Sequence, residues 1–224
     1  MLKLSLKLKE KFMNNRSITN FILNLLPVSL FIILTALVSF KSSWVQFYDT
    51  SISSYIQSFR TPTLNSIVKM YTKIGNSIPF IIISLIVVGI FYLFKKYRVS
   101  LFLLTTIFLG TSANFLVKQL IRRDRPEFRL INIGGYSFPS GHSVAAMVLF
   151  GSLIVLTFRY IQKRSLRIFL TTLLIILMLL LALSRVYLNV HYPTDITAGL
   201  LLGLIVLQIT SHVFFKEGVQ QNVK

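Results

Sequence analysis

An all-helical, integral membrane bundle of six transmembrane helices is the fold the sequence predicts. Three observations carry that reading: a composition too apolar for a soluble domain, six long apolar runs, and basic residues gathered in alternate connections.

Of the 224 residues, 54% are hydrophobic and 13% charged, and the mean hydropathy is +0.72. A soluble domain of this size needs more polar surface than that leaves. The few charges are one-sided: 24 Lys and Arg stand against 6 Asp and Glu, for a formal net charge of +18. Such a bias points to anionic surroundings, either phospholipid head groups or a phosphate-bearing substrate. Nucleic acid is a poor partner for this chain, because domains that bind it carry their charge on a soluble surface. The absence of cysteine excludes disulfides, thiolate zinc sites and a cysteine nucleophile.

A helix needs about 20 apolar residues to cross a bilayer. The first such run, 21–40, follows a basic segment, 1–20. It is too long for a cleavable signal peptide and no small-residue cleavage site follows, so it reads as a span. Further spans are predicted at 78–94, 99–117, 143–160, 168–188 and 196–215, before a tail at 216–224. No repeat or linker interrupts 21–215, which reads as one domain. Basic residues lie in 1–20, at Lys95, Lys96 and Arg98, at Arg159, Lys163, Arg164 and Arg167, and at Lys216 and Lys224. With six spans all four groups share one side, so that side and both termini are expected to be cytoplasmic.

The 41–77 connection is not polar enough for a plain loop. Tyr48, Ile52, Tyr55, Ile56 and Phe59 fall at helical spacing. So do Leu64, Ile67, Val68 and Tyr71, after a break at Arg60–Pro62. Two short amphipathic helices at the membrane interface are predicted, serving as a cap on the bundle or as a lid or lateral gate.

One connection breaks the charge rule. Lys118, Arg122, Arg123, Arg125 and Arg129 fall between the third and fourth spans, on the expected outer side. Binding an anion is a reason for a basic loop there. Charges at a bilayer edge are costly and so mark function. They concentrate in three segments of that face: 118–126 (KQLIRRDRP), 138–143 (FPSGHS) and 184–195 (SRVYLNVHYPTD). Lys118, Arg125 and Arg185 supply cations for a phosphate, and an Arg fork matches two of its oxygens. Ser140, Gly141 and His142 open a span, where backbone N–H groups lack helical acceptors. His191 and Asp195 are four apart, so the carboxylate can fix the imidazole tautomer and leave the other nitrogen nucleophilic. His142, with no carboxylate at such spacing, suits a general acid and then a base. Arg122, Arg123 and Arg129 read as head-group contacts. Ser112 and Asn114 read as interhelical hydrogen bonders, and His212 as an interfacial anchor. The sequence has no HExxH and no metal-ligand cluster, so metal-independent chemistry without a cofactor is expected.

These segments resemble the signature of the type 2 phosphatidic acid phosphatase (PAP2) family: K-x6-RP, then PSGH, then SR-x5-H-x3-D. Here it reads Lys118 to Arg125-Pro126, then Pro139-Ser140-Gly141-His142, then Ser184-Arg185, His191 and Asp195. Every fixed position matches. The stretch from Asp49 through Arg60 to Gly75 is also similar to bacterial members. The resemblance implies a phosphohistidine on His191, supported by Asp195, with His142 as the acid. It further implies a phosphate cradle of Lys118, Arg125, Ser140, Gly141 and Arg185, no metal, and a site at the outer leaflet.

Bacterial members that it resembles act on undecaprenyl diphosphate, phosphatidylglycerol phosphate or phosphatidate. Undecaprenyl diphosphate leads here, because Arg122, Arg123 and Arg129 offer a place for a second phosphate; the other two are the alternatives. Two further classes are a vanadate-dependent haloperoxidase, which shares the cradle, and a non-enzymatic lipid-phosphate binder. The partners expected are the lipid substrate and the bilayer, with no protein partner implied.

Overall fold

The structure, a computed structural model, describes residues 25–215. The expectations for 1–20 and 216–224 lie outside the described residues. Within them the chain is helical, without a strand. The helices are α1 (Leu25–Ser39), α2 (Ser43–Gln57), α3 (Pro62–Thr72) and α4 (Ser77–Leu93). They are followed by α5 (Tyr97–Ile121), α6 (Gly141–Tyr160), α7 (Arg164–Tyr187) and α8 (Pro193–Phe215). The last four are each long and apolar enough to cross a membrane. α1 and α4 qualify when taken with the neighbours they meet at sharp bends, α2 at 97° and the α3 segment at 57°. The chain is therefore a multi-pass membrane protein, with four to six candidate spans among the described residues.

The bends turn α2 and α3 across one end of the bundle. Thr61 starts α3 by accepting a hydrogen bond from the Leu64 N–H, with Pro62 at the first helical position. The predicted break at Arg60–Pro62 is where α2 and α3 part. Of the predicted stripes, Ile56, Leu64, Val68 and Tyr71 pack half-buried against the core. Tyr55 and Phe59 instead meet edge-on at 5.2 Å on the exposed side, and Ile67 is also exposed. Fully buried beside the stripes are Val45 and Asp49 in α2 and Thr72 in α3. The reason is that this face roofs a polar site, so polar side chains turn in and aromatics turn to the interface.

At the far end, Arg159 lies 4.5 Å over the Phe215 ring, and Tyr92 and Tyr97 meet across the α4–α5 turn. Lys95, Lys96, Arg159, Lys163, Arg164 and Arg167 belong to that end.

The core is layered around α6, which packs against α5, α7 and α8. Phe80, Val144, Val148 and Leu202 form one cluster; Phe102, Leu103, Leu156 and Leu207 form another. α6 and α8 touch almost backbone to backbone. A Cβ on Gly199 would stand 2.6 Å from the Ser140 carbonyl oxygen, and one on Gly203 would stand 2.7 Å from Met147 Cβ. Gly199 and Gly203 are one GxxxG step apart, the spacing that lets membrane helices approach closely. This approach sets the start of α6 against the start of α8. There the Ser140 N–H donates to the Asp195 carbonyl (2.9 Å).

Candidate active site

His191 precedes α8 in a tight connection whose backbone folds back on the end of α7: the His191 and Val190 N–H groups both donate to the Arg185 carbonyl. The imidazole is buried between two partners. Nδ1 lies 3.4 Å from Asp195 Oδ2, and Nε2 lies 3.1 Å from Arg125 Nη1. A guanidinium only donates. Nε2 therefore carries the lone pair, and the proton sits on Nδ1 facing Asp195. Asp195 Oδ2 also accepts the Tyr192 N–H at 2.9 Å, so α8 begins with its own carboxylate capping it. Burial pushes the His191 pKa down to about 3; Asp195 opposes that shift, and Arg125 and Lys118 add to it. The ring is neutral at physiological pH.

The cations arrive from three directions. Lys118, on the last turn of α5, donates to the Tyr136 and Ser137 carbonyls (2.8 and 3.2 Å). Arg125 donates through Nη1 to the Val190 carbonyl (2.7 Å) and through Nε to that of Gly135 (2.9 Å). Arg185 is wholly buried near the end of α7. Its Nη1 donates to the Thr72 hydroxyl at 2.6 Å, while Nε and Nη2 have no protein partner among the described residues. A buried guanidinium with two unmatched edges is suited to an anion.

His142 sits in the first turn of α6, where Ser140 caps the helix by accepting from the Ser143 N–H. Its Nε2 is 3.1 Å from the Thr72 carbonyl, which only accepts. Nε2 thus holds the proton and Nδ1 is left for chemistry. The ring lies flat on Gly75, where a Cβ would come within 2.3 Å of His142 Cδ2; a side chain at 75 would displace it.

Lys118, Arg125, Gly141, His142 and His191 line one cavity of about 700 Å³; Arg185 and Ser140 are fully buried and are not part of its lining. The cavity continues along α4 and α5 past Phe80, Ile81, Ile107, Thr111 and Asn114. Ile81 and Thr111 are exposed, so it reaches the lipid-facing surface between those helices. The structure thus gathers all eight residues singled out from the three motifs. Among the described residues, no group of three or more His, Asp or Glu could hold a metal.

Some readings are corrected. Arg123 does not face head groups. Its Nη2 pairs with Asp49 Oδ2 and its Nη1 with Asp195 Oδ1, both at 2.7 Å, and Tyr192 lies 4.0 Å beneath it. Burial lowers its pKa, but the two carboxylates outweigh burial and hold it charged. Arg122 and Arg129 are exposed, donate to the backbone of Gln119 and Ile133, and do not line the cavity. Asn114 is no interhelical bonder: it lines the cavity with its Oδ1 unpartnered. His212 is exposed near the end of α8.

Sequence reasoning missed Thr72, which holds Arg185 with its hydroxyl and His142 with its carbonyl, and the functional weight of Asp49. The only signal for either was its place in the resembling 49–75 stretch.

The sequence matches the PAP2 superfamily over residues 98–218. It is 31% identical over 208 residues to phosphatidylglycerophosphatase B of Bacillus subtilis, covering 88% of this chain and 96% of that one. It is 32% identical over 126 residues to lipid A 1-phosphatase of Rhizobium johnstonii, covering 51% of this chain and 47% of the other. The crystal structure of the transmembrane PAP2 type phosphatidylglycerolphosphate phosphatase from Bacillus subtilis superposes with a TM-score of 0.80 at 26% identity. That match covers 88% of this chain and 98% of that one. LpxE of Aquifex aeolicus shares the fold, with a TM-score of 0.60 at 21% identity over 72% of this chain and 93% of its own. A match that takes in the cradle, both histidines and Asp195, with a relative aligned over nearly its whole length, settles the family: the chain belongs to the PAP2 superfamily of membrane phosphatases.

Proposed function

We propose that the chain hydrolyses a lipid phosphomonoester through a phosphohistidine on His191, with phosphatidylglycerol phosphate as its substrate. The observation that carries the chemistry is the His191 tautomer: Nδ1–H toward Asp195, lone pair on Nε2 toward Arg125 and the cavity.

Phosphate enters among Lys118, Arg125, Arg185 and the first N–H groups of α6. Arg125 Nη1 exchanges the His191 lone pair for a phosphate oxygen, a stronger acceptor. Nε2 then attacks phosphorus in line, and the bond from phosphorus to the lipid oxygen breaks. The substrate binds as the phosphate monoanion and passes its proton to His142 Nδ1, which gives that proton to the leaving oxygen. The neutral His142 next takes a proton from water, which attacks the phosphohistidine, frees phosphate and restores both rings. The cradle balances charge on the phosphoryl oxygens throughout. No step uses a metal or cofactor.

The choice of substrate rests on two supports. The relative aligned over most of this chain carries the name phosphatidylglycerophosphatase B. Among the described residues, the cavity lining offers no Lys or Arg beyond Lys118 and Arg125, and Arg185 is already counted in the cradle for a single phosphate. The sequence argument for undecaprenyl diphosphate needed Arg122, Arg123 and Arg129 for a second phosphate. Arg123 is committed to carboxylates and the other two lie outside the cavity, so that argument loses its footing. The basic end formed by the α4–α5 and α6–α7 turns supports a cytoplasmic position for that end and an outer position for the site.

The test is phosphate release by the purified chain in detergent with EDTA. The panel is phosphatidylglycerol phosphate, phosphatidate and undecaprenyl diphosphate, each with a His191→Ala control. Preferred release from phosphatidylglycerol phosphate, with an acid-labile phosphoenzyme absent in the control, is the expected result. Preference for the diphosphate would reverse the substrate choice. Binding without release from any lipid would replace the enzyme reading with that of a binder.

A further inference from the structure

We propose that Asp49 and Arg123 are positioning residues for the hydrolysis, holding the Asp195 carboxylate in the one orientation that presents Oδ2 to His191. The proposal rests on the reading of His191 as the nucleophile.

The two oxygens of Asp195 have divided tasks. Oδ1 receives Arg123 Nη1 at 2.7 Å, and Oδ2 receives the Tyr192 N–H and faces His191 Nδ1. Without Arg123, a fully buried oxygen loses its partner, and the carboxylate is free to turn toward other donors. Arg123 is itself fixed from both sides. Asp49 Oδ2 takes its Nη2 at 2.7 Å, and the Thr194 hydroxyl accepts from its Nη1 at 2.8 Å. Thr194 in turn donates to Asp49 through its backbone N–H (2.9 Å) and its hydroxyl (2.8 Å). Asp49 thus clamps both the guanidinium and the first turn of α8, from a helix outside the three motifs.

Charge acts in the same direction. A lone buried carboxylate beside an imidazole favours the imidazolium, which is not a nucleophile. Arg123 moderates that pull, and Asp49 shares the charge of Arg123, so Asp195 keeps enough to hold the Nδ1–H tautomer. The other charged or titratable groups facing this pair are Lys118 from α5, Arg125 and Asp124 from the α5–α6 connection, His142 from the start of α6, and Tyr192 before α8. Buried ion pairs add little net stability over packed apolar residues. A role in orientation gives this one a reason.

The test uses the full chain labelled with ¹⁵N-histidine. It has only His142, His191 and His212, so each ring is identified by single substitution. Wild type is expected to show His191 as the neutral Nδ1–H tautomer at neutral pH. In Arg123→Gln, that signal is expected to shift to a mixture of the two neutral tautomers at neutral pH. kcat should fall about 10- to 100-fold, the scale for outer partners of functional histidines, with KM changed less than about threefold. The acid limb of kcat/KM should move up by about one pH unit. Arg123→Lys should recover part of kcat, and Asp49→Asn should shift the same signals less. A lower melting temperature with the His191 spectrum and pH profile of wild type would reduce the clamp to a structural role and overturn the proposal. Failure of wild type to release phosphate would instead refute the proposed function, while the ring spectra would still decide the clamp.

Discussion

Replacing Thr72 by valine removes one hydroxyl and nothing else of size. The backbone carbonyl that receives His142 stays, and the β-branched shape that suits the end of α3 stays. What goes is the acceptor for Arg185 Nη1, at 2.6 Å, together with the partner of the Ser184 hydroxyl at 3.1 Å. Among the described residues the Thr72 hydroxyl is the one protein group that holds the Arg185 guanidinium. A hydrogen bond to a charged group contributes about 1.5–3 kcal/mol, and each 1.36 kcal/mol is tenfold in rate. Thr72→Val should therefore lower kcat/KM for phosphate release about 10- to 150-fold. Part of that loss should appear as a higher KM, since an unheld Arg185 binds phosphate less well. Thr72→Ser, which keeps the hydroxyl, should recover most of it. The assay is initial-rate phosphate release in one detergent, with melting temperatures measured alongside. If Thr72→Val matches wild type within about twofold while Arg185→Ala is inactive, then Arg185 is held by something else and the argument fails.

Three further outcomes follow from the geometry. His142→Gln should lose about 100-fold or more on lipid substrates but far less on an aryl phosphate, whose leaving group needs no proton; equal losses would remove His142 as the acid. The His191 pKa is depressed in the folded chain, to about 3 from 6.5. Its contribution to stability is thus complete above pH 6.5 and is lost as pH falls from there toward 3; melting curves should show that slope, and His191→Gln should flatten it. Because the chain has no cysteine, Phe128→Cys and Lys163→Cys make clean topology probes. An impermeant maleimide should label only the first in intact cells, and the reverse pattern would invert the proposed orientation.

What the sequence made legible, and what it did not, divides by how the information is carried. The cradle and the His191–Asp195 pair were readable because local spacing encodes them: residues four apart at a helix start meet by geometry alone. The helix itself starts at Pro193, three residues ahead of the predicted span at 196–215. Arg123 was misassigned because its partner Asp49 lies 74 residues away, and no local pattern announces such a pair. Thr72 escaped because its contact with His142 runs through a backbone carbonyl, which any residue type supplies. Asn114 was given to helix packing because a mid-span amide usually serves that end; whether it meets a helix or a cavity depends on where neighbouring helices diverge. The Gly199–Gly203 step was visible in the sequence and could have set α6 against α8 in advance.

The same contacts decide what the 41–77 segment does. Read from sequence, it was either a cap or a lid. A lid must lift, and lifting α2 and α3 would part Asp49 from Arg123, Thr72 from Arg185 and from His142, and Asn65 from the Tyr187 hydroxyl. It would also part Arg60 from the Tyr187 carbonyl, where Nε and Nη2 both donate (3.0 and 2.6 Å) to the end of α7. Three of these involve a buried or half-buried guanidinium, each worth about 1.5–3 kcal/mol. The opened state would leave His142 without the Thr72 carbonyl, and Arg123 without Asp49, at the moment substrate arrives. The cavity already reaches the lipid-facing surface past Ile81 and Thr111, between α4 and α5. A substrate that comes in sideways from the bilayer leaves every one of these contacts intact. The segment is therefore better understood as the fixed roof that orients the site than as its door.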